Sequence, residues 1–303
     1  MISSGEQTHG SGVIDQVGEN IIHHVSNSDI QHPIVHFPHI FGIDMSVTKH
    51  VLMLWIVAVL VSVAVIIPIR RFLRKSDGIP TGMANAIESV VQFIRDSIVV
   101  PNLGPKWVNA WAPLILTFFF FILFANAIGM VPIFDLLGAF NRFVLGIPAS
   151  DSHNFINGIL HGGVTATGNF NVTVALATVT FFAIIIAGIK AHGFIQHWKN
   201  LVPNGLPWPV YIILIPIEII GMFVKPFALT MRLAANMTGG HVAILAILSF
   251  MAIFAEMFNS TVTGVSLALF SIPMATAITG LEIIVVLVQA YVFTLLSAVF
   301  IGM

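Results

Sequence analysis

The chain has 303 residues, of which 57% are hydrophobic and only 8% charged, with a mean hydropathy of +0.98 and a formal net charge of -1. Soluble domains carry roughly a quarter charged residues, so this composition excludes a water-solvated surface over most of the chain and makes lipid its solvent. The near-zero net charge gives no electrostatic footing for nucleic acid, and the lack of cysteine excludes disulfides, thiolate metal sites and a cysteine nucleophile.

Residues 1–46 are polar to mixed and carry Glu6, Asp15, Glu19, Asp29 and Asp44. No short apolar run follows a basic start, so they do not read as a secretory signal. They are expected to form a polar tail on the outer side, ahead of a single membrane domain over 47–303. The first span is expected at about 50–72, where the apolar run 51–69 lies between Lys49 and the cluster Arg70, Arg71, Arg74, Lys75. Positive residues stay cytoplasmic, which places the tail outside and residues 70–80 inside. Residues 76–82 read as a turn. Over 83–100, Ile87, Val90, Val91, Ile94 and Ile98 share a helical face while Glu88, Gln92, Arg95 and Asp96 fall elsewhere. This pattern predicts an amphipathic helix in the interface or packed on a neighbour, ended by Pro101, Gly104 and Pro105.

A second span at about 107–132 carries the aromatic run 118–121 at its centre and no charge between Lys106 and Asp135. A connection over 133–169 holds Asp135, Arg142, Asp151, His153 and His161, and a third span at about 171–190 returns to Lys190 and Lys199. From 207 to 250 the apolar helical pattern is interrupted by Glu218, Lys225 and Arg232. A continuous helix of that length would run about 60 Å, roughly twice the hydrocarbon thickness. It is therefore either strongly tilted or broken, with Pro216, Pro226 and the pair Gly239 and Gly240 as candidate bends. Residues 261–302 repeat the pattern with Glu282 and Gln289 inside. The predicted fold is all-α: a polytopic membrane protein of about five membrane-embedded helices plus one amphipathic helix, the last two long and strongly tilted. The function is expected in that last pair.

Arg232 carries the functional case. An arginine at mid-membrane costs at least about 3 kcal/mol on insertion scales, and it cannot shed its charge. It is retained where it meets water or an opposite charge. The plainer alternative is a side chain snorkelling to a headgroup or held in a structural pair, but Arg232 lies far from the basic ends that mark the interfaces. Glu218, Lys225 and Arg232 are spaced by seven and nearly share a face, which Asn236 and Gly239 continue. His241 comes nine residues after Arg232, about half a revolution round a regular helix, and so belongs to another surface and depth. Glu282 and Gln289 are again seven apart and face one way. Spacing alone also suits a polar seam between helices, so both readings stand at this point.

The run Lys225-Pro-Phe-Ala-Leu-Thr-Met-Arg232-Leu-Ala-Ala-Asn236-Met-Thr-Gly239-Gly240-His241 resembles the signature of subunit a of F-type (rotary) ATP synthases. There, arginine-leucine-x-x-asparagine is followed by small residues and then an acid or histidine. Pro216-Ile-Glu218 upstream, Glu282 and Gln289 in the last helix, and Gly168-Asn-Phe-Asn-Val-Thr-Val-Ala-Leu-Ala177 are similar to further family features. The resemblance covers about residues 45–303.

It implies a non-catalytic stator subunit without a cofactor, beside a c-ring of hairpin subunits each bearing a membrane carboxylate and alongside the b subunits of the peripheral stalk. Arg232 would face that carboxylate, keep it ionised as it passes, and separate two offset aqueous half-channels. Desolvation raises a carboxylate's pKa and an adjacent positive charge lowers it, so a proton would bind on the lipid side and leave beside the arginine. Each charge crossing yields about 2.3 kcal/mol per 100 mV, so several are needed per ATP. Glu218, toward the cytoplasmic start of its helix, would line the exit; His241 and Glu282 would line the entry, with the histidine coming first here. A helix-packing hydrogen bond is the alternative for His241. Gln289 and Asn236 are expected to orient or contact Arg232, with ordinary interhelical bonding as their alternative. Some members carry acids near the ends of the third and fourth helices, where this chain has Asn126, Gly129 and Asn169, so a share of these positions in the entry path does not carry over. The resemblance places the chain in a bacterial inner membrane, with a mitochondrial inner membrane as the alternative.

His23, His24, His32, His36 and His39 invite a metal site. Pro33 and Pro38 break any helical register and the spacing matches no ligand pattern, so a solvated tail or interface cap is expected instead. A secondary transporter would show two comparable halves, whereas the intramembrane charges crowd into the last third. A membrane oxygenase or intramembrane protease would need clustered histidines on helices, paired aspartates or a serine–histidine pair within spans, and none is present.

Overall fold

Residues 46–74, 80–130, 166–199 and 207–303, with 17–19, 21–22 and 140, are described by the computed structural model. Among them every regular element is helical, and five helices are long and apolar enough to cross a membrane. The protein is an all-α polytopic membrane protein, as its composition and periodicity predict. Most of the tail and of the connection 133–169 lies outside the described residues.

Two helices widen by a π-wound turn, each just ahead of a proline. Helix α1, Lys49–Arg74, is π-wound over Ser62–Ile66, two residues before Pro68. Helix α2 begins as Met83–Ile94, widens at Arg95–Val99 and continues as Val100–Leu103 through Pro101. A proline ring collides with the carbonyl four residues back, here that of Ala64 or Ser97, and each lies inside the widened turn. Of the three residues expected to end the helix over 83–100, Pro101 lies inside it: α2 runs to Leu103 and stops at the second, Gly104, whose φ of 73° suits glycine. Ile87, Ile94 and Ile98 of α2 are buried while Glu88, Gln92, Arg95 and Asp96 are exposed.

Helix α3 is Val108–Met130 and α4 is Phe170–His192. Asn169 caps α4 by accepting from the Asn171 backbone N–H at 2.9 Å. At its other end Gly193, φ 85°, turns the chain into the short α5, Phe194–Lys199, which lies back against α4. Helix α4 buries Thr173, Ala177, Thr180, Ala183 and Ala187, a strip of small side chains that lets neighbouring helices come close.

The last two helices are α6, Trp208–Met257, and α7, Thr261–Gly302. Their antiparallel hairpin closes through Phe258, Asn259 and Ser260, with Asn259 at φ 46°, a conformation asparagine tolerates. Near the turn a Cβ at Gly264 would run into the Met251 carbonyl, so glycine sets that close approach. At 1.5 Å per residue the helices measure about 75 Å and about 63 Å, and a layer about 30 Å thick holds them only at a steep inclination or with their ends outside it. Helix α6 is continuous through Pro216, Pro226 and Gly239–Gly240, so none of the candidate bends breaks it. In lipid a freed backbone group has no better partner than its own turn, which favours keeping the helix. It also extends seven residues past the expected end at 250.

The C-terminal half of α7 is the centre of the bundle. It packs on α2, α3, α4 and α6. The Phe118 and Phe293 rings meet edge-on at 5.6 Å, and the Thr180 and Ser297 hydroxyls lie 3.4 Å apart. One end of the molecule gathers Arg70, Arg71, Arg74, Lys106, Lys190 and Lys199 and is called the basic end below. The outward faces of α6 and α7 are apolar, with Ile213, Ile220, Phe223 and Phe227 on one and Leu281, Ile284 and Leu287 on the other.

Candidate functional site

Helix α6 buries Leu229, Thr230, Leu233, Ala234 and Met237, a strip recurring every three or four residues that packs inward. Arg232 and Asn236 fall outside that strip and are exposed, as is the neighbouring Met231. The Arg232 side chain borders a small cleft shared with Leu229, Leu233, Gln289 and Phe293. Among the described residues it makes no hydrogen bond or ion pair. Asn236, one turn further on, makes no hydrogen bond among them either. The guanidinium thus reaches an apolar outer face with no acid paired to it among the described residues.

Behind it lies a buried polar chain. The Thr167 hydroxyl donates to Asn126 Oδ1 at 2.6 Å, and Asn126 Nδ2 donates to Gln289 Oε1 at 3.2 Å. Asn126 and Thr167 are fully buried and Gln289 is 4% exposed. This series runs from the start of α4 through α3 to α7 and ends at the cleft that holds Arg232. Asn126, whose share did not carry over from the family pattern, is thus bonded to a candidate site residue. Thr167 was not singled out by sequence at all. The legible signal was an asparagine inside a helix with no charge; which partner satisfies it depends on packing.

A second polar level lies further from the basic end. Glu282, 5% exposed, places Oε1 3.7 Å from His241 Nδ1, an ion-pair distance longer than a hydrogen bond. A Cβ at Gly240 would overlap the Glu282 carboxylate, so this glycine is what lets an acid of α7 lie directly on α6. The two levels match the antiparallel pairing. Nine residues from Arg232 to His241 span about 13 Å, and seven from Gln289 to Glu282 span about 10 Å.

Glu218 is fourteen residues before Arg232, about 21 Å nearer the basic end along α6. It lines a cavity of about 480 Å³ with Lys106, His192, His197 and Lys225. Lys225 Nζ sits 5.4 Å over the Phe300 ring and 3.7 Å from Met303 Sδ. So Glu218 and Lys225 share one open chamber, His241 and Glu282 meet in a packed one, and Arg232 with Gln289 stands between. No group of three metal-ligating side chains occurs among the described residues. The histidines at 23, 24, 32, 36 and 39 lie outside them.

Residues 51–302 match the family model described as ATP synthase A chain. The chain belongs to that family. It is similar to the ATP synthase subunit a 2 of Prosthecochloris aestuarii (strain DSM 271 / SK 413), 39% identical over 97% of this chain and 82% of the relative. It is also similar to the ATP synthase subunit a of Chlorobium phaeobacteroides (strain DSM 266 / SMG 266 / 2430), 37% identical over 99% of this chain and 80% of that one. A third such subunit, from Myxococcus xanthus (strain DK1622), is 38% identical over 86% of this chain and 73% of its own length. Membership makes the chain a multi-pass membrane-sector subunit of ATP synthase, tied to ion transport and ATP synthesis, with bacterial relatives.

Proposed function

We propose that the chain is the proton-conducting stator subunit a of an F-type ATP synthase in a bacterial inner membrane, facing a c-ring and held by peripheral-stalk b subunits. It is read as conducting rather than catalytic, with the ATP chemistry on other subunits and no cofactor of its own. The observation that carries this reading is Arg232: exposed on an apolar face, unpaired among the described residues, and set between two polar clusters at different depths.

With the basic end on the cytoplasmic side, the cavity at Glu218 is the inner half-channel. The His241–Glu282 level then belongs to the outer one, and the offset between them keeps protons from crossing in one step. A proton entering past His241 and Glu282 neutralises a rotor carboxylate, which can then pass through lipid. A carboxylate arriving beside Arg232 is stabilised in its ionised form and gives its proton to the chamber at Glu218. Arginine suits the post because it stays charged through every turn. Gln289, held through Asn126 and Thr167, fixes the wall against which the guanidinium lies, and Asn236 extends the same exposed face toward the rotor.

The test is ATP-driven proton pumping in inverted vesicles. Arg232→Ala is expected to abolish it while the complex still assembles. Pumping at the parent rate would overturn the reading.

A further inference from the structure

We propose that His197 is a proton-transfer group of the chamber at the basic end, carrying protons between Glu218 and the water on that side. This rests on reading that chamber as the inner half-channel.

Three observations place it there. The chain reverses at Gly193, and the His197 backbone N–H then donates to the Gly193 carbonyl at 2.9 Å, which folds α5 onto α4. That return seats the imidazole on Gly188, where a Cβ would overlap the ring at Nδ1 and Cε1. The ring is thereby fixed as part of the wall of the 480 Å³ cavity that also holds Glu218. Finally, its Nε2 is buried and has no hydrogen-bond partner among the described residues. A buried imidazole nitrogen is normally satisfied, and one without a partner in the wall of a polar cavity is a candidate for a functional role.

Among the described residues, the remaining charged or titratable side chains on the cavity are Lys106 ahead of α3, His192 at the end of α4, and Glu218 and Lys225 of α6; α7 brings Phe300. A lysine ammonium offers donors and no acceptor. His192 is exposed and has no seat comparable to Gly188. His197 therefore combines a fixed position with a ring that carries both a proton-donating and a proton-accepting nitrogen. In the outward step the Glu218 carboxylic acid gives its proton to the neutral ring, leaving carboxylate and imidazolium. The imidazolium then passes that proton to water. The edge-on contact of His197 with Trp198 at 5.6 Å would serve a purely structural anchor equally well, so the test must separate the two roles.

Passive conduction is measured in vesicles containing the whole membrane sector, driven by a potassium diffusion potential, with pH varied on the basic side. His197→Gln is expected to slow conduction severalfold and flatten its pH dependence, and imidazole added on that side is expected to restore it. Gly188→Ala, which displaces the ring without removing it, is expected to give the same flattened profile and the same rescue. An unchanged rate and profile for His197→Gln would overturn the proposal. So would a loss that imidazole does not restore, or a loss of assembled complex in both variants, since either assigns the ring to packing. Arg232→Ala and Glu218→Gln keep the two claims apart. If Glu218→Gln conducts at the parent rate and Arg232→Ala still pumps with ATP, the half-channel reading fails; if Glu218→Gln slows conduction and Arg232→Ala abolishes ATP-driven pumping while His197→Gln conducts as the parent, only the histidine role fails.

Discussion

The two polar regions of the α6–α7 hairpin are built in opposite ways. At the basic end Glu218 and Lys225 border an open chamber of about 480 Å³ in which histidines and lysines come from three other segments. At the His241–Glu282 level the acid is 5% exposed, lies against a bare glycine backbone and, among the described residues, has one ring within ion-pair range. The first region tolerates change because water and neighbouring groups can stand in for any one side chain. The second is set by single atoms in a low-dielectric wall, where an unmatched polar group costs the most. The difference teaches where specificity is stored: the packed level decides which groups meet, and the open level supplies access.

The comparison breaks most readily at the packed level. Replacing either His241 or Glu282 with alanine is expected to remove most ATP-driven pumping, whereas exchanging the two residues is expected to retain more than either single change. Equal loss in all three would show that they do not act as a pair. Gly240→Ala is expected to push the Glu282 carboxylate off α6 and cut conduction about tenfold, the scale of one lost charged contact of about 1.5 kcal/mol. Gly221→Ala, whose added Cβ meets nothing within 4 Å, is the control and is expected to leave conduction unchanged. Conduction assays on both variants check this.

Asn126→Leu is expected to strand the Thr167 hydroxyl and the Gln289 carbonyl and lower stability by about 1–3 kcal/mol, read as a lower unfolding temperature of the purified complex. An unchanged melting temperature would show that the buried chain is not under strain of satisfaction. The smallest effect belongs to the open chamber. Glu218→Gln is expected to slow pumping a few-fold without abolishing it, and complete loss would mean that the chamber is not interchangeable in the way its openness suggests.

Much of this was legible in the sequence, for identifiable reasons. Apolar runs long enough to cross lipid are coarse signals that survive any detail of packing, and five such helices are present. Arg232 stood out because its surroundings are so uniformly apolar. Helical arithmetic put His241 half a revolution from Arg232 on a regular helix, yet both approach α7, at Glu282 and at the cleft of Gln289. The failures are failures of locality. The end of α2 was misplaced because a proline's local cost is visible while the widened turn that absorbs it is not; for α6, of the two alternatives left open, the unbroken helix is the one present. Asn126 and Thr167 are separated by 41 residues and Asn126 and Gln289 by 163, so no local pattern could join them. His197 was passed over because only the reversal at Gly193 brings it onto Gly188.

The central claim, that Arg232 faces a carboxylate carried by a partner, is tested most directly by cross-linking, which a chain without cysteine permits cleanly. Phe227→Cys on α6 and Leu287→Cys on α7 lie on the exposed apolar faces of the hairpin that carries Arg232, and Trp55→Cys is exposed on α1. On oxidation, the first two are predicted to form disulfides with a cysteine placed beside the membrane carboxylate of the ring subunit, and Trp55→Cys is predicted not to. Disulfides from Trp55→Cys alone, with none from Phe227→Cys or Leu287→Cys, would contradict the account.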